Sequence, residues 1–423
     1  MKADPTVTDK FRRHAIRVEE AQERVLHRVV PLGIERVPLE DARGRRLAED
    51  VLAPHPLPHF RRSGMDGFSV RSDDLRGASP ERPVVLRVVE DVPCGRVPRR
   101  RIEPGTAART MTGAPVSEGA DAVVRLEAVR EVTIDGQPHI AVSKPVALGE
   151  NVSDIGSEVA AGERLLARGT KIRSGETAVL AAFGFARVPV FRRPVVAVVS
   201  TGEELTDVDA PLAPGKIRNS NAPMLACLIR EAGGVPKMLG RIGDDREVVR
   251  RAVEQALAEA DLVVSTGGVS VGDYDVLADM FLSWRGETLF NKIAMRPGSP
   301  TTAGVLDGKL IFALSGNPSA CFVGFMLLVR PALLAMQGCA DGRLSEVKAI
   351  LEEDYTKTDA YTRFVRGKLR VGDDGRLFVR PVGPDKSSVL SSLKDADCLI
   401  RIPPGKRMTP AGGPVDALRL PEA

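Results

Sequence analysis

Residues 261–275 read Asp-Leu-Val-Val-Ser-Thr-Gly-Gly-Val-Ser-Val-Gly-Asp-Tyr-Asp, and the fold of the surrounding chain turns on this stretch. Leu262 to Ser265 have the character of a buried strand. They run into Thr266, Gly267 and Gly268, then Ser270, Gly272 and the acids Asp273 and Asp275. A strand ending in glycines lets backbone N–H groups come close to an anion, and a following helix start adds partial positive charge. Two acids beside such a loop repel an anion unless a divalent cation lies between them, so one reading is a phosphate-plus-metal site. A glycine-rich strand-to-helix turn without a ligand is the other, and the stretch taken alone does not separate the two.

Outward from it, strands and helices alternate. Val195 to Ser200 form an apolar strand, and Asn221 with Pro223 opens a helix that ends at Gly233-Gly234. Asp245 is placed to cap a helix through Glu259, with Val249, Val253 and Leu257 on its apolar face. Lys309 to Leu314 form another strand, followed by Ser315-Gly316-Asn317-Pro318 and an apolar helix over 319–329. Such alternation predicts a doubly wound parallel sheet, whose ligands bind beyond the strand C-termini. Three loops meet that description: Thr201-Gly202-Glu203-Glu204-Leu205, the Thr266-Gly267-Gly268 loop, and Ser315 to Pro318. Glu203 and Glu204 could hold a cation or ligand donors, or only complement a helix dipole. The Ser315-Gly316-Asn317-Pro318 start could bind an anion or be a well-capped structural helix.

Flanking regions differ in character. Residues 8–53 begin with a helical pattern around Val18 to Val30. From about Ala53 to Lys144, alternating valines and recurrent turn residues predict a small β domain. Over 145–190 mixed structure returns, with Ser174 as N-cap of a helix through Ala182 and Gly184 as its stop. Residues 343–423 read as a small β module with strand-turn patterns at GKLRV, GRLFVRPV and DCLIRIPPG.

Composition excludes several classes. With 60 basic and 56 acidic residues the net charge of +4 is too weak to argue for nucleic acid, and one Trp with three Tyr offers no stacking platform. The N-terminus lacks a signal-peptide pattern, and the longest apolar stretch, near 323–329, is closed by Arg330 and Pro331, so no membrane span is expected. Five widely spaced cysteines without a CxxC suggest neither a disulfide framework nor a zinc site, which fits a cytoplasmic location. All five histidines, His14, His27, His55, His59 and His139, lie in the first third. Chemistry in the glycine-rich half must therefore use carboxylates, hydroxyls, backbone amides, Lys or Arg. Lys292 and Arg296, before the rigid Pro297-Gly298-Ser299-Pro300 turn, could neutralise an oxyanion or be an exposed basic loop. Asp66, inside Ser63-Gly64-Met65-Asp66-Gly67-Phe68, reads physically as an Asx-turn residue.

Taken together and in order, these segments resemble the molybdopterin molybdenumtransferase family, the enzymes related to the E domain of gephyrin. DARGRRLAEDVLAPHPLPHF is similar to its N-terminal signature, SGMDGF to its SAMDGY, and MTGAPVSEGADAVVRLE to its MTGA-P-GADAVV-E segment. STGEEL, IRNSN, TGGVSVGDYD, KIAMRPGSP and LSGNP follow in family order, and YTRFVRG, RPVG and SSLKDADCLIRIPPG resemble its C-terminal domain. Nearly the whole chain is covered. The fold class expected is α/β plus β, multidomain: a central doubly wound parallel α/β domain at 191–338, a segmented N-terminal domain at 1–53 and 145–190, an inserted β domain at 54–144, and a C-terminal β module at 343–423.

The resemblance implies insertion of molybdate into adenylylated molybdopterin with release of AMP, dependent on a divalent cation, Mg2+, in a homodimer that shares its cleft between chains. Other cofactor-biosynthesis proteins are further candidate partners; nucleic acid and membrane are not. By motif, Asp66, Glu204, Asp275 and Arg296 take catalytic positions. Asp275, Glu204 and Asp273 are the metal ligands. Thr112, Gly267, Gly268, Ser270, Ser315, Gly316, Asn317, Pro318 and Arg366 are cofactor-binding, Arg366 reaching towards the partner chain's cleft. The chain departs from the family pattern where KPGKP is RPGSP, placing Arg296 and Ser299 at two lysine positions, where GED is GSE, ending in Glu158, and where YDSN is RNSN at 218–221. Such changes point to a divergent paralogue, slow, using another oxyanion such as tungstate, or inactive. The alternatives are a molybdopterin adenylyltransferase and a silent pterin-binding scaffold.

Overall fold

The computed structural model describes residues 14–243, 245–268, 280, 281 and 284–421, and these fall into two compact units. One holds the chain up to Glu49, Arg168–Thr177 and everything from Ala186 onward; the other holds Asp50–Ala167 and Ala178–Phe185. The residues expected to form a segmented N-terminal domain are thus shared between units. The antiparallel ladder of Ile34–Pro38 with Arg187–Phe191 belongs to the first, and that of Val51–Leu52 with Arg164–Leu166 to the second.

The first unit is built on a six-stranded sheet. Its strands are β1 (Val195–Thr201), β2 (Val235–Ile242), β3 (Leu262–Thr266), β4 (Glu287–Phe290), β5 (Thr302–Leu306) and β6 (Lys309–Leu314), in the order β2-β1-β3-β6-β5-β4. The first four in that order are parallel, as expected of a doubly wound domain, but β5 runs antiparallel to both of its neighbours, β6 and β4, so the sheet is mixed. Gly308, at φ +77°, sits in the short reversal after Asp307 that returns β5 into β6. That hairpin carries no helical crossover, so its strands pair antiparallel.

Two helices follow the sequence reading closely. α1 spans Asn221–Glu231, and α2 spans Arg246–Glu259 with Asp245 Oδ1 accepting from the Val248 N–H at 2.9 Å. Val249, Val253 and Leu257 are buried against the sheet. At the sheet's lower edge Arg192 grips Asp261 through two hydrogen bonds of 2.9 and 2.7 Å, and Asp261 also accepts from the Val195 N–H. Burial works against the Asp261 charge, but those bonds prevail and hold its carboxyl below the usual range.

Three helical expectations need correction. The first helix ends at Leu26, not Val30, and Pro31 keeps Val30 itself out of the helical region. Ser174 is the first residue of the Ser174–Ala182 helix rather than its cap, and the Glu176 carboxylate accepts from the Arg173 N–H at 2.8 Å. The apolar helix does not stop before Arg330 and Pro331. It runs from Pro318 to Met336, α3, through a wider π-type turn at Phe325–Val329. Pro331 cannot donate to the Leu327 carbonyl; the buried side chain of Gln22 does so instead, at 2.8 Å. Among the described residues α3 is the one helix long and apolar enough to cross a membrane, yet 83% of it is buried inside the protein, as in a core helix.

The C-terminal module is a closed barrel. Glu346–Leu351, Leu377–Pro381, Thr362–Val371, Cys398–Ile402 and Pro414–Arg419 pair around a ring, and Met295–Arg296 adds in parallel to Thr362–Val371. In the second unit, six strands between Gly67 and Val142 form one sheet over a core of Phe68, Leu86 and Ile140. Gly67 crosses so close to its neighbour that a Cβ there would run into the Val124 carbonyl.

Replacing Gln22 with Met keeps the packing volume but strands the Leu327 carbonyl. A loss of roughly 1–3 kcal/mol is expected, read from chemical denaturation.

Candidate functional site

Parallel strands that end level bring their C-terminal loops together. Ser200 pairs with Thr266 and Thr266 with Leu314, so the loops after β1, β3 and β6 open on one edge. Between them lies a cleft of about 610 Å³ lined by Thr201, Gly202, Glu204, Gly267, Gly268, Ser315, Gly316, Asn317 and Pro318. Every described residue of the three predicted loop motifs that was assigned to ligand binding is in its wall. Gly267, at φ +96°, is a position no L side chain takes easily, and a Cβ there would run into the Thr201 carbonyl. The glycine therefore serves both the turn and the close packing of β1 against β3.

The loops are tied to one another by side chains to which the sequence reading gave no such role. Asn221 Nδ2 donates to Thr266 Oγ1 and to the Gly316 carbonyl, both at 2.8 Å. Asn219 Nδ2 donates to Ser200 Oγ at 3.0 Å, while its Oδ1 accepts from the Ala222 N–H and caps α1. Both asparagines belong to IRNSN, so the motif was visible but their roles were not. Ser388 and Leu390 of the C-terminal module also line the cleft, a contact with no local sequence signal. At the third loop, Pro318 takes the first helical position and the Asn317 N–H donates to Ser315 Oγ at 3.3 Å.

Arg366 is fully buried rather than extended towards a partner. Its Nε donates to Ser392 Oγ at 2.7 Å, one Nη to Ser319 Oγ, and the other to the Pro384 carbonyl at 2.8 Å. Burial pushes this guanidinium below its usual value, with Asp385 acting the other way. Its charge sits behind the N-terminus of α3 and fixes the third loop. Arg296 lies outside the lining of the cleft: its Nε is 3.5 Å from Asp359 Oδ2 and its guanidinium stacks 5.0 Å from the Tyr361 ring centre. Ser299 is buried, its Oγ donating to the Ile293 carbonyl at 2.7 Å.

Asp66 and Thr112 meet in the second unit. The Thr112 N–H and hydroxyl donate to Asp66 Oδ1 at 2.6 and 2.7 Å, and these bonds, the backbone one first, hold the Asp66 carboxyl below the usual range. Nearby, Arg62 lies 3.7 Å from Glu158, the acid of the GSE departure, and Arg61 3.2 Å from Asp154, so both acids are charge-paired with the residues preceding SGMDGF. Ser270, Asp273 and Asp275 lie outside the described residues. Glu204 is thus the one described carboxylate in the cleft, and no described group of three His, Cys, Asp or Glu residues is arranged to hold a metal.

Gly267→Ala is expected to cost roughly 1–3 kcal/mol through backbone strain, lowering the thermal midpoint. Thr112→Val removes one of the two bonds to Asp66, so that carboxyl should titrate at higher pH in an NMR titration. A depressed pKa adds stability above the unfolded value of about 3.9 and loses it as pH falls through the folded value. The variant should therefore lose part of its acid tolerance.

Known proteins share this arrangement. Residues 16–184 match the MoeA N-terminal region (domain I and II), 197–335 a probable molybdopterin binding domain, and 348–420 the MoeA C-terminal region (domain IV). A molybdopterin molybdenumtransferase from Bacillus subtilis is 43% identical over 411 residues, covering 97% of this chain and 95% of its own. One from Staphylococcus epidermidis is 40% identical, covering 96% of each. The solved molybdopterin biosynthesis MoeA protein from Pyrococcus horikosii is 34% identical, with a TM-score of 0.83 over 96% of this chain and 99% of that one. Similarity of this extent, spanning the second unit, the α/β sheet and the barrel together, means that the chain belongs to the molybdopterin molybdenumtransferase family.

Proposed function

We propose that the cleft binds adenylylated molybdopterin and that the chain inserts molybdate into its dithiolene, breaking the phosphoanhydride and releasing AMP. One observation carries this reading: three strand-end loops, two of them tied by Asn221, converge on a single cleft that offers backbone N–H groups, hydroxyls and a helix start. The N–H groups of the Gly267-Gly268 turn and the N-terminus of α3 suit a phosphate. Arg366 keeps that helix start in place and adds positive charge behind it. Glu204, with Asp273 and Asp275, would hold Mg2+, which needs one or two carboxylates besides substrate phosphates and water. Bound there, the cation would neutralise charge on the phosphoanhydride.

Asp66, whose carboxyl the Thr112 bonds hold below the usual range, is ionised at neutral pH and can accept a hydrogen bond there. The reading includes a homodimer in the cytoplasm, in which a second chain completes the site. An adenylyltransferase is not favoured, since the relatives bearing the transferase name match 96–97% of the chain and the regions flanking the α/β domain match as well.

Purified protein given adenylylated molybdopterin, molybdate and Mg2+ should release AMP, followed by chromatography. Stoichiometric ligand binding without AMP release would sink the transferase reading. Because Ser299 is enclosed, Ser299→Lys should lower the melting temperature and bring no gain in AMP release. A rise in turnover would show that a lysine at 299 reaches the cleft.

A further inference from the structure

The cleft is polar where the three loops meet, but three aliphatic side chains also line it, Leu205, Ile217 and Leu390. Ile217 is 56% and Leu390 45% exposed, so their carbon surface stands open to a ligand. Single exposed aliphatic side chains are ordinary; three around one cleft are not scattered surface. Strand register gives the orientation of two of them. Leu205–Thr206 and Ile217–Arg218 pair in parallel, Leu205 opposite Ile217 and Thr206 opposite Arg218. Successive pairs point to opposite faces of such a ribbon, so Leu205 and Ile217 lie side by side on one face. Arg218 also reaches the wall, but its guanidinium is drawn off to the Val208 and Ala210 carbonyls, at 2.9 and 3.5 Å, and neither of those residues lines the cleft. The face left for the cleft is the one carrying Leu205 and Ile217. The ribbon is anchored from behind, where Arg241 donates to the Leu205 carbonyl at 3.0 Å and Lys216 to the Glu203 carbonyl at 2.7 Å.

Aliphatic carbon offers nothing to phosphate or molybdate oxygens, which need N–H donors and cations. It suits the flat face of a heterocycle, whose removal from water against carbon is favourable. We propose that Leu205, Ile217 and Leu390 form the seat of the bound heterocycle and set the affinity for its ring, while the Gly267-Gly268 turn and the start of α3 take the phosphate. The inference rests on the reading of the cleft as the site of a nucleotide-linked pterin, and adenine and pterin both present a flat ring of the required kind.

Calorimetric titration of the full-length protein with AMP, ribose 5-phosphate and pterin tests it. In Ile217→Ala and in Leu390→Ala the affinity for AMP or for pterin should fall about tenfold while that for ribose 5-phosphate stays the same, and the ligand that loses affinity identifies the ring seated there. Ile217→Leu, which keeps the carbon surface, should retain the wild-type values. Equal weakening of ribose 5-phosphate would mean that the substitutions loosen the whole cleft, and it overturns the inference. Unchanged binding of both AMP and pterin overturns it too; if the variants then elute as a smaller species in size-exclusion chromatography, the three side chains pack against a second chain instead of a ring. The substrate reading stands after either result. Failure of all three ligands to bind the wild type overturns both.

Discussion

The side-chain amide of Asn221 is the joint on which the cleft depends. Strand pairing alone brings the ends of β1, β3 and β6 to one level, but it does not fix the loops beyond them. Asn221 does so by bonding the last residue of β3 and a carbonyl of the loop after β6 at once. Because the asparagine opens α1, the position of that helix and the shape of the cleft are set together. Its NH2 group carries two donors, and one is spent on each partner.

A second constraint comes from the barrel. Arg366 is a buried cation whose direct hydrogen-bond partners are two serines and a carbonyl. Burying a charge among neutral groups is unfavourable unless its N–H groups are satisfied, and here all three directions of the fork are used. The barrel segment that follows supplies Ser388 and Leu390 to the cleft, and the Ser387 carbonyl accepts from the Ser319 N–H at 3.1 Å. The C-terminal module is thereby part of the wall of the α/β domain's site.

Arg296 and Ser299 show how a substitution reads differently once its surroundings are known. In the linear sequence they are two altered members of a cationic loop. In the fold Arg296 is held by Asp359 and Tyr361 of the barrel, and Ser299 closes a turn against Ile293. The charge lost at Ser299 is lost from an enclosed position where a hydroxyl satisfies a backbone carbonyl.

Local patterns carried much of the fold. The strands at Val195, Leu262 and Lys309, the Asp245 cap and the apolar face of α2 were legible because periodicity, capping and glycine punctuation are short-range. The passage of α3 through Pro331 was not, since it depends on a partner far along the chain, whereas the β5–β6 reversal sits at a short Asp307-Gly308 turn that the sequence reading passed over. Gln22 reaches Leu327 across 305 residues, and no window of sequence contains that bond. In the cleft, the glycines and the Ser315-Gly316-Asn317-Pro318 start announced themselves by residue type. Sequence alone determined which segments carry donors and turns and that the whole order is that of one family. Only the tertiary structure decided that Asn221 clamps two loops, that Arg366 is buried beneath a helix start, and that Arg296 faces the barrel. Hydrogen bonds and burial between distant segments exist only once the chain has folded.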